Sequence, residues 1–316
     1  MNLLFYSAGG DGAEWLAALS RAFPAARVHA WRCAADDGVP AEPPQGIDYA
    51  LVWKPPSRLL DEIRSVKAIF NLGAGVDTLA GIDRLAPSVP VVRLEDAGMA
   101  EQMAEYVTYV ALGQFRAFDA YAAAQRAAAW RPLPRQDKRI FDVGMLGVGV
   151  LGAAVAAALR PFGFPLLGWS RTRKNLAGVE SYAGRAELDA FLERCRVLVC
   201  LLPLTDETRG LLDFRALSRL PAGAHVVNVA RGAVIVDEDL LALLDQDRLG
   251  GATLDVFRDE PLPAAHRFWH HPRITITPHV SAVTRVEASV AQIAAKIARL
   301  EAGLAVTGVV DRERAY

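Results

Sequence analysis

The sequence predicts an α/β protein built from two doubly wound, Rossmann-like domains, each a parallel sheet covered by helices on both faces. Short apolar runs alternate with amphipathic stretches almost from end to end, and the series runs twice. A G-x-G-x-x-G follows the first apolar run of the second series. With 316 residues, the chain has the length of about two domains.

The first series places strands at 3–7, 27–31, 49–53, 68–72 and 89–94, with amphipathic helices such as 13–23 and 57–64 between them. The second places strands at 143–146, 165–169, 197–201, 225–229, 251–256 and 274–277, with helices at 150–159, 187–194 and 237–244. Their near-continuous apolar character is that of strands buried on both faces. An Ala-rich helical stretch, 100–129, joins the two series and is broken by Trp130-Arg131-Pro132-Leu133-Pro134. A last helix, 285–300, is expected to return to the first domain. The expected domains are thus 1–100 with 285–316, and 101–284.

Composition excludes several classes of function. Thirty-five Lys and Arg against 36 Asp and Glu leave a net charge of −1, without the basic field that nucleic-acid binding needs. A hydrophobic fraction of 52% with 22% charged residues excludes wholesale disorder. Residues 143–159 carry no charge and approach the length of a membrane span, but four glycines in the first ten read as strand, turn and helix. No membrane partner is expected. Cys33, Cys195 and Cys200 form neither a CxxC nor a metal-binding spacing, so no disulfide framework or metal is expected. Residues 1–6 lack the cationic stretch of a signal peptide, and a cytoplasmic location is the expectation.

In the glycine motif, Gly147 permits a tight turn, Gly149 lets the backbone approach a pyrophosphate and Gly152 lets the helix pack closely. Amides near Gly149, Val150 and Leu151 would hold the anion at the helix N-terminus. An NAD site expects an acidic residue after the next strand; here Ser170, Arg171, Thr172 and Arg173 follow instead. Hydroxyls with a forked cation suit a 2′-phosphate, so the expected cofactor is NADPH (NADP+), with NADH the weaker possibility.

Three polar residues follow strands of the second series, where open α/β sheets bind ligands: Arg231, Glu260 and His279. Together they suit hydride transfer to a small 2-keto acid. His279 would give the proton, Glu260 would favour its imidazolium and fix its orientation, and Arg231 would fork onto the substrate's carboxylate and keto oxygen. In the first domain the strand at 68–72 runs into Gly73-Ala74-Gly75-Val76-Asp77, and the amides of Gly75 and Val76 are assigned to the substrate carboxylate.

With these residues in place, the sequence resembles the D-isomer-specific 2-hydroxyacid dehydrogenases, and within them the glyoxylate/hydroxypyruvate reductases. The resemblance rests on Tyr49-Ala-Leu-Val-Trp-Lys-Pro-Pro56, Leu72-Gly-Ala-Gly-Val-Asp77, Arg93-Leu-Glu-Asp96 with Glu101-Gln-Met103, and Trp169-Ser-Arg-Thr-Arg-Lys174. It continues through Leu254-Asp-Val-Phe257, Glu260-Pro-Leu-Pro263 and Thr275-Ile-Thr-Pro-His-Val280. It implies NADPH-dependent reduction of glyoxylate and hydroxypyruvate by a homodimer, with a flavodoxin-like substrate domain and a dinucleotide domain that opens on a dimerisation helix. It carries Arg231, Glu260 and His279 over as catalytic, Asp255 as the partner of the nicotinamide carboxamide, and Trp53 as a bulky residue near the substrate. Trp130 matches the dimer arm. Two rivals remain: an NAD(P)-sensing binding protein of the same fold, and an NAD-dependent dehydrogenase of another small D-2-hydroxy acid. A formate dehydrogenase would be expected to carry Gln where Glu260 stands.

Overall fold

A computed structural model describes residues 1–9, 12–31, 45–77 and 85–312; Cys33 lies outside these. The chain divides into two compact units, Met1–Gly98 with Thr284–Tyr316, and Met99–Val283.

The first unit is built on β1 (Asn2–Ser7), β2 (Arg27–Ala30), β3 (Tyr49–Trp53), β4 (Ala68–Asn71) and β5 (Val91–Arg93), in the order β2-β1-β3-β4-β5. Every pairing is parallel. Tyr49 to Val52 and the whole of β4 are buried, as a sheet covered on both faces requires. Helices Gly12–Ala22 and Val286–Glu301 pack together on this unit. The second helix buries Val286, Val290, Ile293 and Ile297, one stripe at alternating four- and three-residue spacing. It is also latched by polar contacts. Tyr49 Oη donates to Glu301 Oε1 at 2.6 Å, Lys67 Nζ reaches the same oxygen at 2.8 Å, and Lys296 Nζ meets Glu95 Oε2 at 3.0 Å.

The second unit holds β6 (Val143–Leu146), β7 (Leu166–Ser170), β8 (Val179–Ala183), β9 (Val197–Cys200), β10 (Ala224–Asn228), β11 (Leu249–Leu254) and β12 (Ile274–Ile276). Their order is β12-β11-β10-β9-β6-β7-β8, parallel throughout. Two apolar clusters cover the sheet, one including Phe191, Leu198 and Leu254, the other Val143, Val155 and Val227. The direction of winding reverses between β6 and β9, the switch point at which doubly wound sheets take ligands. Residues 143–159 form β6, a turn and the helix Val150–Leu159, and among the described residues no helix is long and apolar enough to cross a membrane.

Two elements differ from the sequence reading. The stretch 100–129 is two helices, Met99–Phe115 and Phe118–Arg126, broken at Ala117 with φ 53°. Phe115 is anchored edge-on to Phe141 and Phe164, at 5.2 and 5.3 Å between centroids, whereas the second helix buries no side chain. Helix propensity is high on both sides, so packing of the Phe115 ring, not local sequence, locates the break. Edge strand β8 has no apolar run to reveal it, because its residues are only partly covered.

Candidate active site

The glycine turn follows β6 directly. Gly147 has φ +113°, and a Cβ there would stand 2.9 Å from the Leu201 carbonyl carbon; a Cβ on Gly152 would stand 2.3 Å from the Gly147 carbonyl oxygen. Both positions therefore exclude a side chain. Gly149 caps the helix Val150–Leu159 without any side-chain acceptor, leaving the first amides, with Val150 and Leu151, for an anion. At the end of β7, Ser170 Oγ is buried with no partner among the described residues, while Arg171 and Thr172 are exposed. A buried hydroxyl with no partner among the described residues, beside a cation and a helix N-terminus without a side-chain cap, fits a phosphorylated dinucleotide. Arg173 is held differently: its guanidinium donates to the Ser181 carbonyl and to the Glu187 carboxylate, which braces the loop.

Arg231, Glu260 and His279 come together in this unit. Asn228, the last residue of β10, is buried; its Nδ2 donates to the Arg231 carbonyl at 3.0 Å and its Oδ1 accepts from the Ala230 amide at 3.2 Å, fixing the turn that carries Arg231. Arg231 Nη1 donates to the Ala230 carbonyl at 2.7 Å. The next residue, Gly232, lies so close to the 257–258 backbone that a Cβ would stand 2.0 Å from the Phe257 carbonyl carbon. That contact sets Arg231 beside the segment leading to Glu260.

Glu260 Oε1 accepts from the Phe257 amide at 3.0 Å, and Oε2 pairs with His279 Nδ1 at 2.7 Å. Burial raises the Glu260 carboxyl, but the hydrogen bonds from His279 and Phe257 and the charges of His279 and Arg231 outweigh it. The carboxyl is therefore held below its ordinary range, ionised at neutral pH. His279 itself has φ 57°, a left-handed conformation rare for a side-chain-bearing residue.

Asp255 holds that conformation in place. Fully buried, it accepts from Thr277 Oγ1 at 2.6 Å and from the amides of Val280 and Ser281 at 2.9 Å each. Thr277 gives its proton to Asp255, so Tyr106 Oη, 2.7 Å from Thr277 Oγ1, donates to Thr277. Gln102, on the same helix, exchanges two hydrogen bonds with the Val283 backbone, at 2.9 and 3.2 Å. The structure thus shows the Asp255 carboxylate engaged within the protein, shaping the His279 loop. Sequence reasoning missed Tyr106, Thr277 and Asn228 as supports. Asn228 did leave a signal: a polar residue ending an otherwise apolar strand just before Arg231.

The first unit carries the remaining predicted residues. Trp53 ends β3, and Gly75 and Val76 lie in the turn after β4, with Val76 buried. Trp130, by contrast, is fully exposed.

A family model described as "D-isomer specific 2-hydroxyacid dehydrogenase, NAD binding domain" matches residues 108–281. Among solved structures, the chain is 41% identical to a D-isomer specific 2-hydroxyacid dehydrogenase from Xanthobacter autotrophicus Py2 in complex with NADPH and MES, with a TM-score of 0.93 over 100% of this chain and 99% of that one. It is 38% identical to an NADPH-dependent glyoxylate/hydroxypyruvate reductase from Sinorhizobium meliloti in complex with NADP and sulfate, at a TM-score of 0.90 and the same coverage. A probable 2-hydroxyacid dehydrogenase from Rhizobium etli CFN 42, in complex with NADP, HEPES and L(+)-tartaric acid, is 33% identical with a TM-score of 0.90, again over 100% and 99%.

Proposed function

The chain belongs to the D-isomer specific 2-hydroxyacid dehydrogenases, and on that premise we propose that it uses NADPH to reduce glyoxylate to glycolate and hydroxypyruvate to D-glycerate. The observation that carries the chemistry is the His279–Glu260 pair, Nδ1 to Oε2 at 2.7 Å, with Arg231 acting electrostatically on the same carboxyl. An ionised Glu260 at Nδ1 fixes the orientation of the ring, so the proton for transfer is the one on Nε2. Arg231 forks onto the carboxylate and keto oxygen of the 2-oxo acid, drawing electron density from the carbonyl carbon. The amides of Gly75 and Val76 take the carboxylate. When bound, the reduced nicotinamide supplies the hydride; His279 gives its proton to the carbonyl oxygen, and a 2-hydroxy acid leaves.

Residues for the dinucleotide are Gly147, Gly149, Val150, Leu151 and Gly152 at the pyrophosphate, and Ser170, Arg171 and Thr172 at the 2′-phosphate. The NADPH-dependent reductase from Sinorhizobium meliloti, at 38% identity, supports this choice of cofactor and substrates. We assign the protein to the cytoplasm, where buried free thiols such as Cys195 and Cys200 stay reduced. Exposed Tyr109, Phe118 and Trp130 support a homodimer joined through this part of the chain.

Steady-state consumption of NADPH with glyoxylate, hydroxypyruvate and a panel of other 2-oxo acids tests the reading. Turnover with the first two, faster with NADPH than with NADH, is the expected result. A protein that binds NADPH yet turns over no 2-oxo acid would be a sensor instead.

A further inference from the structure

We propose that Asn71 is a positioning residue for the substrate: it holds the turn at 73–76 so that the Val76 amide is presented to the carboxylate of the 2-oxo acid. The proposal rests on the reductase reading above and adds to it a residue that does not itself touch substrate.

Asn71 is the last residue of β4 and has no surface in contact with solvent. Its Nδ2 donates to the Gly73 carbonyl at 2.9 Å and to the Gly75 carbonyl at 2.8 Å, using both of its protons. A trans peptide points its N–H opposite to its C=O. With the Gly75 carbonyl drawn towards Asn71, the N–H of the same peptide, which belongs to Val76, projects away from it. The turn is also held from another side. A Cβ built on Gly73 would lie 2.4 Å from a carbon of the Trp53 ring, so the indole rests directly on this backbone. Amide and indole together hold the peptide planes that an anion would meet.

Stability alone does not account for Asn71. Among the described residues its Oδ1 has no partner, and burying an amide with its acceptor unmet is unfavourable. What the side chain supplies is its two donors. The same device recurs in the second unit, where Asn228 ends β10 and donates to the Arg231 carbonyl.

Asn71→Asp keeps the shape, removes both donors and sets carboxylate oxygens against two carbonyls. The KM for glyoxylate and the inhibition constant of oxamate, a carboxylate analogue that is not reduced, should each rise about tenfold or more. By contrast, kcat should change by less than about threefold, and the Kd for NADPH should not move. A purely structural role would lower the active fraction and the melting temperature while leaving KM and the oxamate constant unchanged. Gly73→Ala pushes the same turn off Trp53 without touching a buried polar group, and it should raise both constants too, which carries the test if Asn71→Asp does not fold. Folded variants with unmoved KM and oxamate binding would overturn the proposal alone. A wild-type protein inactive on every 2-oxo acid would overturn the reductase reading, and this inference with it.

Discussion

His279 donates its backbone amide to the Asp255 carbonyl at 2.8 Å, while the Asp255 carboxylate gathers the amides of the two residues that follow His279. A left-handed histidine is unfavourable on its own and persists only where its surroundings over-determine it. Asp255 supplies that constraint from within, and Tyr106, through Thr277, extends it to the helix Met99–Phe115.

Asp255→Asn turns an amide nitrogen towards groups that are themselves donors. Unfolding free energy should fall by about 2 kcal/mol, read from urea denaturation, and kcat should fall about tenfold or more as the His279 loop loses its register. Tyr106→Phe, which removes one hydroxyl, should move kcat in the same direction by less.

His279→Ala should lower kcat by about 10²–10⁴-fold, the usual worth of a positioned proton donor. Near-wild-type turnover would remove His279 from that role. Glu260→Gln keeps the hydrogen bond but not the charge, so kcat should fall about tenfold or more, by less than for His279→Ala. In the wild type the Glu260 carboxyl lies below its ordinary value of 4.5. The stability that the ionised carboxylate contributes is therefore whole above pH 4.5 and is lost only as the pH falls through the lower, folded value.

Arg171→Ala should lower kcat/KM for NADPH by about tenfold or more while leaving NADH nearly unaffected, because only NADPH brings a 2′-phosphate to the exposed guanidinium. Kinetics with both coenzymes, wild type against variant, give the answer; a wild type that favours NADH removes the phosphate-binding assignment.

His225 makes stability depend on pH. Burial, its largest influence, lowers it from the ordinary 6.5 to about 4, and Nε2 lies 2.9 Å from Thr253 Oγ1. The unfolded chain takes up a proton near pH 6.5 and the folded protein only near 4. This contribution is whole above pH 6.5 and drains away as the pH falls towards 4, by roughly 3 kcal/mol in all. Urea melts across that range should show the slope, and His225→Gln should flatten it.

Much of this was legible in the sequence for a simple reason. Buried parallel strands are continuous apolar runs, and the glycines of a phosphate turn have few substitutes, so β6 and Gly147 stand out without any coordinates. Arg231, Glu260 and His279 were readable from their places after strands. Their supports were not. Tyr106 lies 171 residues before Thr277, and no local pattern links a helix tyrosine to a distant loop threonine. Arg173 read as one more cation of a phosphate site, yet its partners, Ser181 and Glu187, become neighbours only when β8 adds to the sheet edge.

The helix Val286–Glu301 belongs to the first unit but is synthesised after the whole of the second. On the ribosome, the later half of the chain can therefore finish folding while the earlier half still exposes the apolar surface that Val290, Ile293 and Ile297 will cover. A nascent chain halted before residue 286 lacks the helix that covers this surface of its oldest segment.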